Sequence, residues 1–197
     1  MYEESIHIYE KLPLCGTGVV MGLVLILLHV YGLARPTAAL QALGRAHVAY
    51  KAGAALLGLD FLWIAALLFK ADWNPLCMPL YEFDSFRGWL LILCPVIWFV
   101  LSSMAKEHLF ARALGLFLLL AALLPLSAAF LKDPVTRLLI PIWWYPVLTV
   151  AMFWVAKPHL FRDWAAWLNA HPAVFKGIAL FGTLYGAAVL ACAILFW

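Results

Sequence analysis

The chain has 197 residues, of which 67% are hydrophobic and 12% charged, with a formal net charge of +3 and a mean hydropathy of +0.99. An average soluble domain carries roughly 25% charged residues, so this composition excludes an ordinary soluble domain and reads as an integral membrane protein. The surplus of Lys and Arg is small and confined to the ends of apolar runs, which offers no nucleic-acid-binding surface.

A bilayer core about 30 Å thick is crossed by about 20 apolar residues in a helix. Runs of that length fall at residues 14–34, 50–69, 88–105, 113–131, 138–156 and 174–197. The sequence therefore predicts an all-α bundle of six transmembrane helices in a single membrane domain over residues 1–197. Grouped by their connections on the basic side, the spans form three helical hairpins over residues 1–70, 71–132 and 133–197.

The stretch before span one, "MYEESIHIYEKLPLCGTG", is acidic and lacks the positive region of a secretory leader, so the first span is expected to stay in the mature chain. Span one carries Gly18 and Gly22, a small-xxx-small pair suited to close helix packing. It also carries His29 and exits at "ARP", Ala34 to Pro36, before a short amphipathic stretch at residues 37–45.

Span two holds Asp60. At about 1.5 Å per residue Asp60 lies roughly 13 Å beyond Lys51, near the midplane of a ~30 Å core. An Asp there costs about 2.5 to 3.5 kcal/mol on insertion scales, so it faces protein or water for a reason. His29 reaches a comparable depth, and the two are expected to pair across the first hairpin. The pair has two readings, a hydrogen bond locking spans one and two, or a proton-handling or ligand site.

Residues 70–87 carry Trp73, Tyr81, Phe83 and Phe86, and span five carries "WWY" at Trp143 to Tyr145. Both groups fit an interfacial aromatic belt. Cys15 and Cys77 fall toward that same side and are candidates for a disulfide if the compartment is oxidising.

One phrase is written twice. "AKEHLF", Ala105 to Phe110, closes span three, and "AKPHLF", Ala156 to Phe161, closes span five. A Lys at a helix end complements the helix dipole and reaches toward headgroups, while Pro resists continuation of the span. Lys106, His108, Lys157 and His159 are accordingly candidates for lipid or partner contact. After Pro158, apolar Leu160, Phe161, Trp164, Trp167 and Leu168 recur at helical spacing between Arg162, Asp163 and Asn169. That spacing predicts a short amphipathic helix in the interface after span five, with Trp164 and Trp167 joining the contact candidates. Span six adds a second small-xxx-small pair, Gly182 and Gly186. At one constant offset His47 matches His171, Gly53 matches Gly177 and Gly58 matches Gly182, the mark of an internal repeat of the outer hairpins.

Orientation follows from the charges. Arg35, Arg45, Lys51, Lys106, Arg112, Lys157, Arg162 and Lys176 flank the connections after the odd-numbered spans, whereas Glu3, Glu4, Glu10, Asp72, Glu82, Asp84 and Asp133 lie on the other side. The positive-inside rule makes the basic loops cytoplasmic and both termini periplasmic, as in a bacterial inner membrane.

Chemistry is sparse. No Cys/His spacing suits a metal, and only His29 among the histidines lies well inside a span, so neither a metal nor a haem or other cofactor is expected. For an enzyme, which is the less favoured class, His47, His108, His159 and His171 near the basic helix ends are the sole candidates. The expected function is a non-catalytic integral subunit or assembly component of a larger membrane complex, surrounded by membrane lipids and a protein partner or further copies of itself. The alternative is a small proton-coupled transporter or channel using Asp60 with His29.

Overall fold

The computed structural model describes residue 9 and residues 11–71, 73–104 and 108–197. Among them run eight α-helices: α1 (Leu14–Ala34), α2 (Pro36–Ala46), α3 (Tyr50–Leu68), α4 (Arg87–Met104), α5 (Leu109–Ala129), α6 (Leu139–Ala156), α7 (His159–Ala170) and α8 (Pro172–Leu195). Short 3-10 turns at Tyr81–Phe86 and Val135–Leu138 lead into α4 and α6. Six helices, α1, α3, α4, α5, α6 and α8, are long and apolar enough to cross a membrane. Helices satisfy every backbone group within the segment, which is what a chain of this composition requires in lipid. Proline sets two starts, since Pro36 and Pro172 each open a helix where the missing N–H costs nothing.

The fourth span differs most from expectation. It begins at Leu109, one turn earlier than residue 113, because Leu109 and Ala111 are buried in the bundle. Arg112 therefore sits on a helix and not in a loop.

Helix partners also differ from three consecutive hairpins. The closest packing joins α1 to α8, α5 to α6 and α3 to α5, while α4 packs chiefly on α3. The first and last spans lie antiparallel. Near one end Gly18 faces Ala193, in the middle Gly22 faces Leu190, and near the other Gly32 faces Phe175 and Ala179. The contact is reciprocal at its centre: a Cβ on Gly22 would lie 3.0 Å from the Gly186 carbonyl oxygen, and one on Gly186 would lie 3.0 Å from that of Gly22. The two glycine pairs read in spans one and six thus form the two sides of one interface. Such close approach gains van der Waals contact, the main source of helix association in an apolar solvent.

Each end of the bundle is organised by short elements. At the basic end α2 and α7 pack together, and Asn169 Nδ2 donates to the Leu40 carbonyl (3.1 Å) and to the Ala165 carbonyl (2.8 Å). The apolar face of α7 buries Phe161, Ala165 and Leu168. At the acidic end Arg87 is a buried hub. Its guanidinium donates to Asp84 Oδ1, to the Leu68 and Met78 carbonyls at 2.8 Å each, and to Cys77 Sγ at 2.9 Å. This one side chain folds residues 77–84 back over the ends of α3 and α4.

Candidate functional site

Asp60 sits halfway along α3 and is 0% exposed. It shares its face with Gly53, Leu57 and Leu67, and this face is turned to α5. Leu57 clusters with Leu109 and Ala113, and Trp63 packs edge-on against Phe117 at 6.2 Å. Neither carboxylate oxygen of Asp60 has a hydrogen-bond partner among the described residues. A buried polar group left unsatisfied costs about 1 to 3 kcal/mol, and more if charged. Asp60 is thus a fully buried carboxyl that needs a partner the described residues do not supply.

His29 does not meet it. Its Nδ1 lies 2.7 Å from the Leu25 carbonyl one turn back, and its ring stands edge-on to Trp143 at 5.9 Å. The imidazole fills the space over Gly182, where any Cβ would collide with it. His29 therefore belongs to the junction of α1, α6 and α8, and Asp60 to that of α3 and α5. The expected pairing is replaced by two separate sites, because α1 packs on α8 and not chiefly on α3.

The remaining candidates gather at the basic end. Lys157 closes α6 and His159 opens α7, both exposed. Trp164 stacks obliquely on Trp154 at 5.5 Å, and Trp167 lies over the His171 ring at 5.0 Å. His108, half-buried, stacks on His47 with ring centroids 6.1 Å apart. Lys106 lies outside the described residues. Cys15 and Cys77 are both free thiols, so the disulfide is not formed; Cys77 instead accepts the hydrogen bond from Arg87. Among the described residues no group of three or more His, Cys, Asp or Glu is placed to hold a metal ion.

Three features lay beyond the sequence reading. One is the Arg87 hub. A second is an apolar groove of about 290 Å³ between α3 and α4, lined by Gly58 and Phe61 on one side and Cys94, Pro95 and Trp98 on the other. The third is the stack of His47 on His108 with Arg112 one turn further along α5, whose only sequence signal is the four-residue step from His108 to Arg112. That step is informative only once α5 is known to start at Leu109.

Fold and site together define an α-helical membrane protein with six candidate spans and a carboxyl, Asp60, buried midway along one of them. No family model matches the chain, and neither a curated protein nor a solved structure matches it.

Proposed function

We propose that the chain is a non-catalytic integral component of a larger membrane complex, with its basic loops cytoplasmic and α7 lying in the membrane interface. The observation that carries this is α4. It leans chiefly on α3 and leaves Trp89, Ile92, Val96 and Phe99 between 51% and 70% exposed. Their steps of three, four and three place them on one face, the spacing by which one helix seats against another. A Trp and a Phe on that stripe offer large contact area to a second membrane helix. Lipids cover the rest of the apolar surface. Each outer segment also runs span, short amphipathic helix, span, which supports the internal repeat, although Gly53 touches the Phe110 backbone and its match Gly177 has no neighbour within 4 Å.

Solubilisation in a mild detergent followed by native mass measurement tests the proposal. A stoichiometric hetero-complex is expected. A chain that runs only as a monomer would count against it.

A second reading, proton-coupled transport, draws its support from Asp60, a fully buried carboxyl with no partner among the described residues, near the middle of a candidate span. It now rests on Asp60 without His29.

A further inference from the structure

We propose that His47, His108 and Arg112 form a binding site for a phosphate-bearing ligand at the basic end of the bundle. A phospholipid headgroup and a soluble phosphate compound are the two sources of that chemistry.

Four of the described histidines divide by what their Nδ1 atoms do. In His29 and His171 the Nδ1 is occupied by the carbonyl one turn back, Leu25 at 2.7 Å and Trp167 at 2.9 Å. His47 and His108 instead stack at 28° between ring planes, and each Nδ1 is shielded from solvent with no hydrogen-bond partner among the described residues. Arg112 Nε is shielded and unpartnered in the same way. His108 caps the start of α5, and the Arg112 backbone N–H one turn on donates to the His108 carbonyl at 3.4 Å. Buried polar groups are almost always paired, so two stacked imidazoles and a guanidinium one turn along α5, all orphaned among the described residues, need a common explanation.

All three are donors or can become donors, which specifies an acceptor. The ion pairs among the described residues are Lys70 with Asp84, Arg87 with Asp84 and Arg162 with Asp163, so none of them neutralises Arg112. A metal ion is the wrong ligand beside a permanent guanidinium. An oxyanion is the right one, and phosphate offers several acceptor oxygens to a guanidinium and two imidazoles at once.

The backbone adds to this. Gly53 brings the start of α3 against the start of α5, where a Cβ would lie 2.6 Å from the Phe110 backbone nitrogen. Neither helix has a side-chain N-cap bond. Two helix N-termini, each the positive end of a dipole, thus converge beside the histidine pair. The three residues as a whole are half-buried.

The full chain in detergent is titrated with dioleoyl phosphatidylglycerol in one arm and inorganic phosphate in the other, and bound ligand is read by native mass spectrometry. Arg112→Gln and His47→Phe are expected to lower retention about tenfold, the effect of losing one charge-assisted hydrogen bond, while Arg162→Gln leaves it unchanged. Nitrogen NMR of the wild-type imidazoles needs no variant to fold: the Nδ1 signals of His47 and His108 should move on ligand addition, and those of His29 and His171 should stay. A response to phosphatidylglycerol alone assigns the headgroup, and displacement of the lipid by inorganic phosphate assigns the soluble source. Equal retention by all variants, or His47 and His108 signals that move in neither arm, overturns the proposal.

Discussion

Phe110 and Phe161, the last residues of the phrases "AKEHLF" and "AKPHLF", pack ring against ring with centroids 6.0 Å apart. The repeated phrase therefore marks more than two helix exits. In each copy the segment from His onward starts a new element, α5 in one and α7 in the other, and the two starts meet at the basic end. Phe161 is 1% exposed and also meets Trp154 edge-on at 4.9 Å, so it ties α7 to both α5 and α6.

Truncating that contact should loosen the basic end. Phe161→Ala is expected to cost about 3 to 5 kcal/mol, the range for deleting a buried aromatic ring. Phe110→Ala, at a half-buried position, should cost less. Thermal unfolding of the purified variants in one detergent measures the order, and a Phe161→Ala protein as stable as wild type would remove α7 from the packed bundle.

The α1–α8 interface makes a sharper demand. A larger side chain at Gly22 meets backbone, the Gly186 oxygen and Leu190 nitrogen, and not a flexible side-chain tip. Gly22→Leu should therefore cost more than the roughly 1 to 3 kcal/mol of ordinary overpacking, and Gly186→Leu should do the same. Because the two positions face each other, the double variant should be less damaging than the sum of the singles. Strict additivity in unfolding measurements would mean that the glycines do not share an interface.

Asp60 yields a prediction opposite to the usual one for a buried polar residue. Its oxygens have no partners among the described residues, so replacing it orphans nothing. Asp60→Leu should be neutral or stabilising, by up to about 1 to 3 kcal/mol, and Asp60→Asn should retain the fold. If transport is the function, both variants should assemble normally and abolish proton flux in vesicles. An unfolded Asp60→Leu protein would show that the carboxyl holds the bundle together through a bond of its own.

At the acidic end, Arg87→Met should release residues 77–84. It leaves the Leu68 and Met78 carbonyls without their donor, each such loss costing about 1 to 3 kcal/mol. Labelling of Cys77 by an impermeant thiol reagent added from outside should then accelerate. The same reagent tests orientation, since it should reach Cys77 and fail to reach a cysteine placed at position 162 in sealed cells. The reverse pattern would invert the topology.

How much of this was legible in the sequence depends on which physical signal each feature leaves. Six spans were readable because lipid demands length and apolarity, and α1 matches its sequence-based bounds at both ends. The glycine pairs were readable because small residues at four-residue spacing are uncommon without a packing reason. Which helix each pair faced was not. In water a buried face is apolar and an exposed one polar, whereas here the exposed Leu27 and the buried Leu25, packed against α8, are the same residue type. The pairing of His29 with Asp60 failed for that reason: their depths were readable and their neighbours were not. Arg87 left no signal either, since a buried guanidinium satisfied by carbonyls looks in sequence like any loop charge.

The proposal that the chain is a component of a larger complex meets its most direct test at the α4 stripe. A photoactivatable residue is placed in turn at Ile92, Val96 and Phe99, and as a control at Leu27, which is 69% exposed on α1. The expected result in intact membranes is a discrete crosslink to one other membrane protein from all three α4 positions and none from Leu27. Crosslinks to lipid alone from every position would contradict the subunit assignment and leave the stripe as bilayer-facing surface.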